Sequence, residues 1–552
     1  MKTFLEKNLV IIALLVVLCS YLFFFRLGDM ALTDPDETFY AQTAKEMLHR
    51  NDWVTPYLYG KPQFEKPALL YWMVIPAYKI FGINEFAARF PSALMGLIGV
   101  IAAYFLGKLL FNKKAAILSA VILATNVEYV VLSKACITDM ALSTFMMLGA
   151  LFFLYGYLEE KKHFYLLSAA AFALATLTKG PIAILLAGAA IIIFLLLNRD
   201  LKAVKKMPVL RAALVFLAIA APWYAIAYKL HGNAFIAEFF GFRNITRFVE
   251  SEHKIGSQFY YNIPILFGGF FPWSIFLPVG FWNMFKKAFS ADIKEKRAAI
   301  FVLVWFFMIF IFFTISSTKL PTYIFPSFIS AALIVGAFWD DFLKKDPSRT
   351  TVRQMKYSYY ILPVLIIIGV VVLYVFLSKR YPPVLSGASV AGAVLALGFM
   401  LSLAAFKAKK YMMAFFFIIY ALVLFIYPLS TLVLPVIERY ETGKEISREL
   451  LPHMDQAQRL GSESHYRAGL AFYTGKFPVD IDKHHVLVQF LGSDERVWVV
   501  LKDKNHRQLY ELDTEPFLMK PSYMVYKLGK KGIVTNRLPD DGKYILKRER
   551  VK

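Results

Sequence analysis

Apolar runs recur along this chain at residues 8–26, 86–111, 115–132, 139–158, 164–178, 181–198, 208–229, 260–284, 298–315, 320–340, 357–377, 384–406 and 411–433. Each approaches the length needed to cross a bilayer core, so together they predict about thirteen membrane-spanning helices. The run at 68–81 is apolar but shorter, and reads as an interfacial or re-entrant helix. Beyond residue 433 the pattern changes. Charged residues and histidines return at the frequency of a soluble protein, with helix-like segments at 443–451 and 466–473 and strand-like segments at 486–490 and 497–501. The fold class this predicts is an α-helical polytopic membrane protein, residues 1–433 with outer loops at 27–85 and 230–259, followed by a small soluble α/β domain, 434–552. No internal repeat, low-complexity linker or heptad run accompanies it.

The polar residues between the runs set orientation. With Met1 on the cytoplasmic side, the inner loops carry Lys113-Lys114, Lys161-Lys162, Arg199 with Lys202, Lys205 and Lys206, Lys286-Lys287 with Arg297, Lys344-Lys345 with Arg349 and Arg353, and Lys407 with Lys409 and Lys410. Every even-numbered connection is basic, as the positive-inside rule requires, and an odd number of spans leaves the C-terminal domain outside. Composition agrees: 58% hydrophobic and 18% charged residues exclude an ordinary soluble protein of 552 residues. The excess of 62 Lys+Arg over 39 Asp+Glu follows from topology and membrane lipids, so no nucleic-acid partner is expected. Cys19 and Cys136 make no disulfide framework. Residues 1–25 imitate a signal peptide but lack a small-x-small cleavage site, and Leu18 before Cys19 spoils a lipoprotein box, so the segment is expected to remain as the first helix.

The chemistry-bearing residues collect on the outer face, where ionisable side chains mark working sites. In Asp34-Pro35-Asp36-Glu37, Asp34 as N-cap, Pro35 and Glu37 would make a capping box, which leaves Asp36 for a catalytic or substrate-orienting role. The helix after it carries Tyr40, Ala44, Met47 and Leu48 on one stripe and would lie on the membrane. Glu65-Lys66 precedes an aromatic segment; an exposed ion pair would serve as anchor, but Lys66 could also neutralise a lipid phosphate. Asp139, after Thr138, opens the fourth predicted span, where N-capping is the alternative. Lys179 either snorkels or binds an anion, and Lys319 with Tyr323 could hold a phosphate oxygen unless Tyr323 only joins the aromatic belt. In the largest outer loop, Arg243 and Arg247 share a helix face that could clamp phosphate or simply be solvated. His253 has no histidine or cysteine at ligand spacing; a long-range pair with Glu65 could bind zinc. No P-loop, dinucleotide fingerprint, serine elbow or His-Glu-x-x-His motif occurs, so no cofactor follows from the residues alone.

In this order, Pro35-Asp36-Glu37-Thr38 with Tyr40, Phe64-Glu65-Lys66-Pro67, Arg89-Phe90-Pro91-Ser92, Thr138-Asp139, Lys179-Gly180-Pro181, Gly269 to Trp273 and Ser317 to Tyr323 resemble the polyprenyl-phosphate-dependent membrane glycosyltransferases of the GT-C class. The likeness is nearest to the aminoarabinose (4-amino-4-deoxy-L-arabinose) lipid A transferase family, related to protein O-mannosyltransferases. It implies a GT-C fold, a sugar donor on undecaprenyl phosphate, and transfer to lipid A or another acceptor on the periplasmic face of a bacterial inner membrane. It further implies that Asp36 orients reacting groups, that Lys66 and Tyr323 hold donor phosphate, that Asp139 is a second important aspartate, and that Glu65 with His253 forms a metal-binding pair. Transfer to protein or another glycan, and a lipid-linked sugar flippase, are the alternatives; charges gathered at one face and the lack of paired halves disfavour the flippase.

Overall fold

In the computed structural model, residues 8–239, 241, 258–455, 457–502, 523–528, 531–535 and 547–548 are described. Among the described residues, eight helices are long and apolar enough to cross a membrane: Glu85–Leu110, Thr138–Leu158, Val209–Phe239, Ile293–Ile315, Pro321–Phe342, Arg349–Arg380, Pro382–Lys407 and Tyr411–Arg439. Two bent pairs raise the number to ten if each is one span: Lys113–Thr125 with Val127–Ser133, bent by 64°, and Asn262–Gly269 with Trp273–Lys287, bent by 113°. The three remaining predicted runs are helical at Leu9–Phe24, His163–Lys179 and Ile182–Leu197. At 1.5 Å per residue these reach about 25 Å, less than a full hydrocarbon core. The first bend has a local cause in Asn126. Its amide donates to the Leu123 carbonyl at 2.7 Å while its side-chain oxygen accepts from Tyr129 N at 3.0 Å, so one residue closes the first helix and starts the second.

The helix Asp36–Arg50 does carry a buried stripe of Tyr40, Ala44 and Met47, but Glu37, Thr38, Gln42, Thr43 and Glu46 are buried as well. It is therefore covered on two sides rather than laid on a membrane surface. Helix Leu69–Phe81 packs on one side, where the Tyr78 hydroxyl donates to the Ala41 carbonyl at 3.1 Å. Helix Ser464–Thr474 of the C-terminal domain packs on the other, where Lys45 Nζ donates to the Phe472 carbonyl at 2.8 Å. A short hairpin, β1 (Tyr57–Leu58) and β2 (Lys61–Pro62), follows it. The Glu46 carboxylate accepts from Tyr59 N at 2.9 Å and Gly60 N at 2.8 Å, which pins the hairpin tip to the helix.

The C-terminal part contains a mixed six-stranded sheet of order β4-β3-β5-β7-β6-β8, with strands β3 (Arg459–Ser462), β4 (Val479–Asp480), β5 (Val497–Lys502), β6 (Tyr523–Leu528), β7 (Lys531–Thr535) and β8 (Lys547–Arg548). Along β5, Trp498 and Val500 face one core with Ile446, Leu450 and Leu470, while Val497, Val499 and Leu501 face another with Leu487 and Phe490. Burial of both faces explains why β5 is an unbroken apolar run. The predicted strand at 486–490 is instead part of helix His484–Leu491. Its apolar residues are spaced to cover one face of the sheet, and a short apolar run does not distinguish helix from strand by period alone.

Candidate active site

The segment leading into helix Asp36–Arg50 is locked by one buried ion pair. Arg89 Nε donates to Glu37 Oε1 at 2.8 Å and Arg89 Nη2 to Oε2 at 2.7 Å, with both side chains almost fully buried. The same guanidinium donates to the carbonyls of Leu27, Met30 and Ala31, and Glu37 also accepts from Thr33 N at 2.9 Å and Cys136 N at 2.7 Å. Every strong donor and acceptor of the pair is thus used, which is the condition for such a pair to persist in a dry interior. Burial opposes ionisation of Glu37, but Arg89 and the two backbone donors outweigh it and hold its carboxyl below the usual range. The expected capping box takes another form. Helix 36–50 has no side-chain cap at its start, Glu37 reaches back to Thr33, and Asp34 accepts from Thr38 Oγ1 and Gly443 N, both at 2.8 Å.

With Glu37 committed to structure, Asp36 stands in the first helical turn open to the outside. The protein around its carboxylate reduces hydration and raises its pKa. The charges of Asp139, Glu65 and Glu37 act in the same direction, and Lys66 acts against them. Asp36 thus feels the charges of the Glu65-Lys66 pair, whose Nζ and Oε1 are 3.6 Å apart. The loop is set by Gln63, which accepts from Glu65 N at 2.8 Å and donates to the Tyr71 hydroxyl at 3.1 Å.

Asp139 lies in the first turn of helix Thr138–Leu158, whose N-cap is Ile137, so N-capping is not its role. Its Oδ1 instead receives Lys179 Nζ at 2.5 Å. Lys179 ends helix His163–Lys179, and Gly180, at φ 100°, takes the turn that lets Pro181 start the next helix. The ammonium of Lys179 also sits 4.8 Å from the centre of the Tyr323 ring, a cation–π contact that joins the 316–323 segment to the cluster. In that segment Lys319 is buried, and the Ser316 hydroxyl donates to the Thr318 carbonyl at 3.0 Å. The structure thereby brings together Asp36, Glu65, Lys66, Asp139, Lys179 and Tyr323, residues far apart in sequence. Arg243, Arg247 and His253 lie outside the described residues. Among the described residues no three His, Cys, Asp or Glu side chains are grouped to hold a metal, and Glu65 Oε1 lies 3.6 Å from Lys66 Nζ.

One member of the cluster was not expected. Glu128, at the start of helix Val127–Ser133, is half buried, lies against Gly269 and feels the charge of Asp139. Its signal in the sequence is a carboxylate inside the predicted span at 115–132.

A family model described as dolichyl-phosphate-mannose-protein mannosyltransferase matches residues 65–226, the stretch that holds Glu65, Lys66, Glu128, Asp139 and Lys179. Among solved structures, ArnT from Cupriavidus metallidurans bound to undecaprenyl phosphate superposes with a TM-score of 0.79 over 95% of this chain and 98% of that one, at 22% identity. The archaeal oligosaccharyltransferase AglB from Archaeoglobus fulgidus gives 0.52 over 97% and 75%, at 14% identity. The fold is thus the GT-C fold that ArnT and AglB share. An uncharacterised protein of Aquifex aeolicus is 30% identical over 454 residues, 82% of each chain. The undecaprenyl phosphate-alpha-4-amino-4-deoxy-L-arabinose arabinosyl transferase of Yersinia enterocolitica is 30% identical over 345 residues, 60% of each chain. The chain belongs to one family with the Aquifex aeolicus protein and, over 60% of its length, is similar to the aminoarabinose transferases, which are polyprenyl-phosphate-sugar-dependent glycosyltransferases.

Proposed function

We propose that this protein moves 4-amino-4-deoxy-L-arabinose, or a related sugar, from undecaprenyl phosphate to lipid A at the periplasmic face of a bacterial inner membrane. The observation that carries the reading is the Asp139–Lys179–Tyr323 contact set beside Asp36 and Lys66, in a chain whose named relatives are aminoarabinose transferases. Breaking the bond between the sugar's anomeric carbon and the phosphate oxygen leaves charge on undecaprenyl phosphate. In this reading Lys66 and Lys179 stabilise it, with the Tyr323 hydroxyl and Lys319 as further donors. Arg243 and Arg247, in the outer loop, would join the same phosphate. A lipid A phosphate is ionised near neutral pH, so its oxygen attacks the anomeric carbon without a strong base. Asp36 then stabilises the positive charge that develops on the sugar ring. Asp139 holds the Lys179 ammonium in place.

The test is mass spectrometry of lipid A from a polymyxin-sensitive host that lacks its own transferase but makes the donor. Wild-type protein should add a sugar-sized mass, and Asp36→Asn, at equal membrane level, should not. No gain from folded wild type supplied with donor would overturn lipid A as acceptor in favour of a protein or another glycan. Equal gains from both would remove Asp36 from the chemistry.

A further inference from the structure

Among the described residues Glu128, like Asp36 and unlike three other carboxylates of the cluster, has no ion-pair partner. Glu37 is paired with Arg89, Asp139 with Lys179 and Glu65 with Lys66. Among the described residues Glu128 receives no side-chain hydrogen bond or ion pair, and the charged neighbour acting on it is Asp139, of like sign. A half-buried carboxylate in that situation gives up hydration without compensation. A substrate cation would restore the balance.

The surrounding backbone holds Glu128 in place. Asn126 fixes the start of its helix, and Val127 N donates to the Phe271 carbonyl at 3.2 Å, which ties the two bent helix pairs together. Gly269 supplies the room: a Cβ there would stand 2.4 Å from Glu128 Oε2 and 3.1 Å from its Cβ. A break in an apolar helix and a glycine thus hold in place a carboxylate that, among the described residues, has no ion-pair partner and feels the charge of Asp139. Packing alone would be met by a neutral side chain.

We propose that Glu128 is a specificity-determining residue that binds the protonated amino group of the donor sugar and so selects an aminosugar over its neutral counterpart. The inference rests on the transferase reading above, and adds that the sugar itself must be cationic. The carboxylate acts in binding: no bond to it forms or breaks, and the amine keeps its proton.

The experiment uses full-length protein in liposomes with undecaprenyl-phosphate-linked 4-amino-4-deoxy-L-arabinose or its N-acetylated form as donor and lipid A as acceptor. Wild type should prefer the free amine by at least tenfold in kcat/KM. Glu128→Gln should lose that preference, chiefly through a higher KM for the amine donor, with the N-acetylated donor unaffected. Melting temperature with undecaprenyl phosphate alone should not change. An unaltered preference in Glu128→Gln, an equal loss with both donors, or a wild type that favours the neutral donor each overturns the assignment. Gly269→Ala, which displaces the carboxylate without removing it, should lower the preference in the same sense; loss of the preference only when Gly269 is changed would likewise assign it elsewhere. Wild type that transfers neither sugar would instead overturn the donor reading, and the inference with it.

Discussion

Adjacent residues Asp36 and Glu37 differ in role because their surroundings differ. Glu37 is buried against Arg89 with every lone pair engaged, so its charge is structural. Glu37→Gln would leave the guanidinium buried without its counter-charge, at a cost of about 3–5 kcal/mol. A fall in melting temperature of the purified protein checks this, with the residual activity of the folded fraction retained. Asp36 has the opposite prospect, since its carboxyl is pushed up by burial and by Asp139, Glu65 and Glu37. If transfer needs Asp36 ionised, activity is lost on acidification at a pH above the ordinary aspartate value of about 3.9. Asp139→Asn removes a like charge and leaves Lys179 without its partner, both of which favour the ionised form. The acid limb of its remaining activity should therefore move to lower pH; a limb that stays in place or rises would mean another group controls it.

At the scale of elements, helix packing here depends on small residues where backbones approach. Helix Phe328–Phe342 meets helix Lys113–Thr125 at Gly336, where a Cβ would lie 2.1 Å from Ser119 Oγ and 2.7 Å from its backbone nitrogen. The near contact is with main chain, so rotation of a side chain does not relieve it. Gly336→Ala should force the helices apart and lower the melting temperature by several degrees. Gly188→Ala, in helix Ile182–Leu197 with nothing within 4 Å of the added carbon, should leave it unchanged. Comparison of the two in the same detergent separates packing from the general effect of alanine in a helix.

The whole molecule is joined at the helix that presents Asp36. Asp34 accepts from Gly443 N, the Tyr473 hydroxyl receives Leu32 N at 2.8 Å, Glu438 receives Ala31 N at 2.7 Å, and Lys444 Nζ stands 2.6 Å from Glu85. The C-terminal domain is thus a wall of the segment that carries the active face, not an appendage on a linker. Asp34→Ala should cost about 1–3 kcal/mol by leaving the Gly443 N–H without its acceptor, while the Thr38 hydroxyl keeps the Pro35 carbonyl. The measurable result is faster proteolytic cutting near residue 442 and lower transfer, although Asp34 takes no part in the chemistry. Unchanged cutting would show that the remaining contacts suffice.

Hydrophobic length is a local property, so the sequence by itself located the helices, the change of character after residue 433, and most of the polar residues gathered on one face. Asp36, Lys66, Asp139, Lys179 and Tyr323 were legible because charges and hydroxyls at the same end of alternating spans must share a surface. Partners were not legible. Asp34 finds Gly443 at a separation of 409 residues, and Glu37 finds Arg89 at 52, which no spacing rule anticipates. The strand expected at 486–490 became a helix because the sheet it covers supplied the second apolar face. Glu128 was hidden inside an apolar run, since only the bend at Asn126 brings it to the cluster. Composition and period thus decided which segments leave water, while the tertiary structure decided which charge meets which, because a Coulomb interaction depends on distance in space and on what excludes water from the gap.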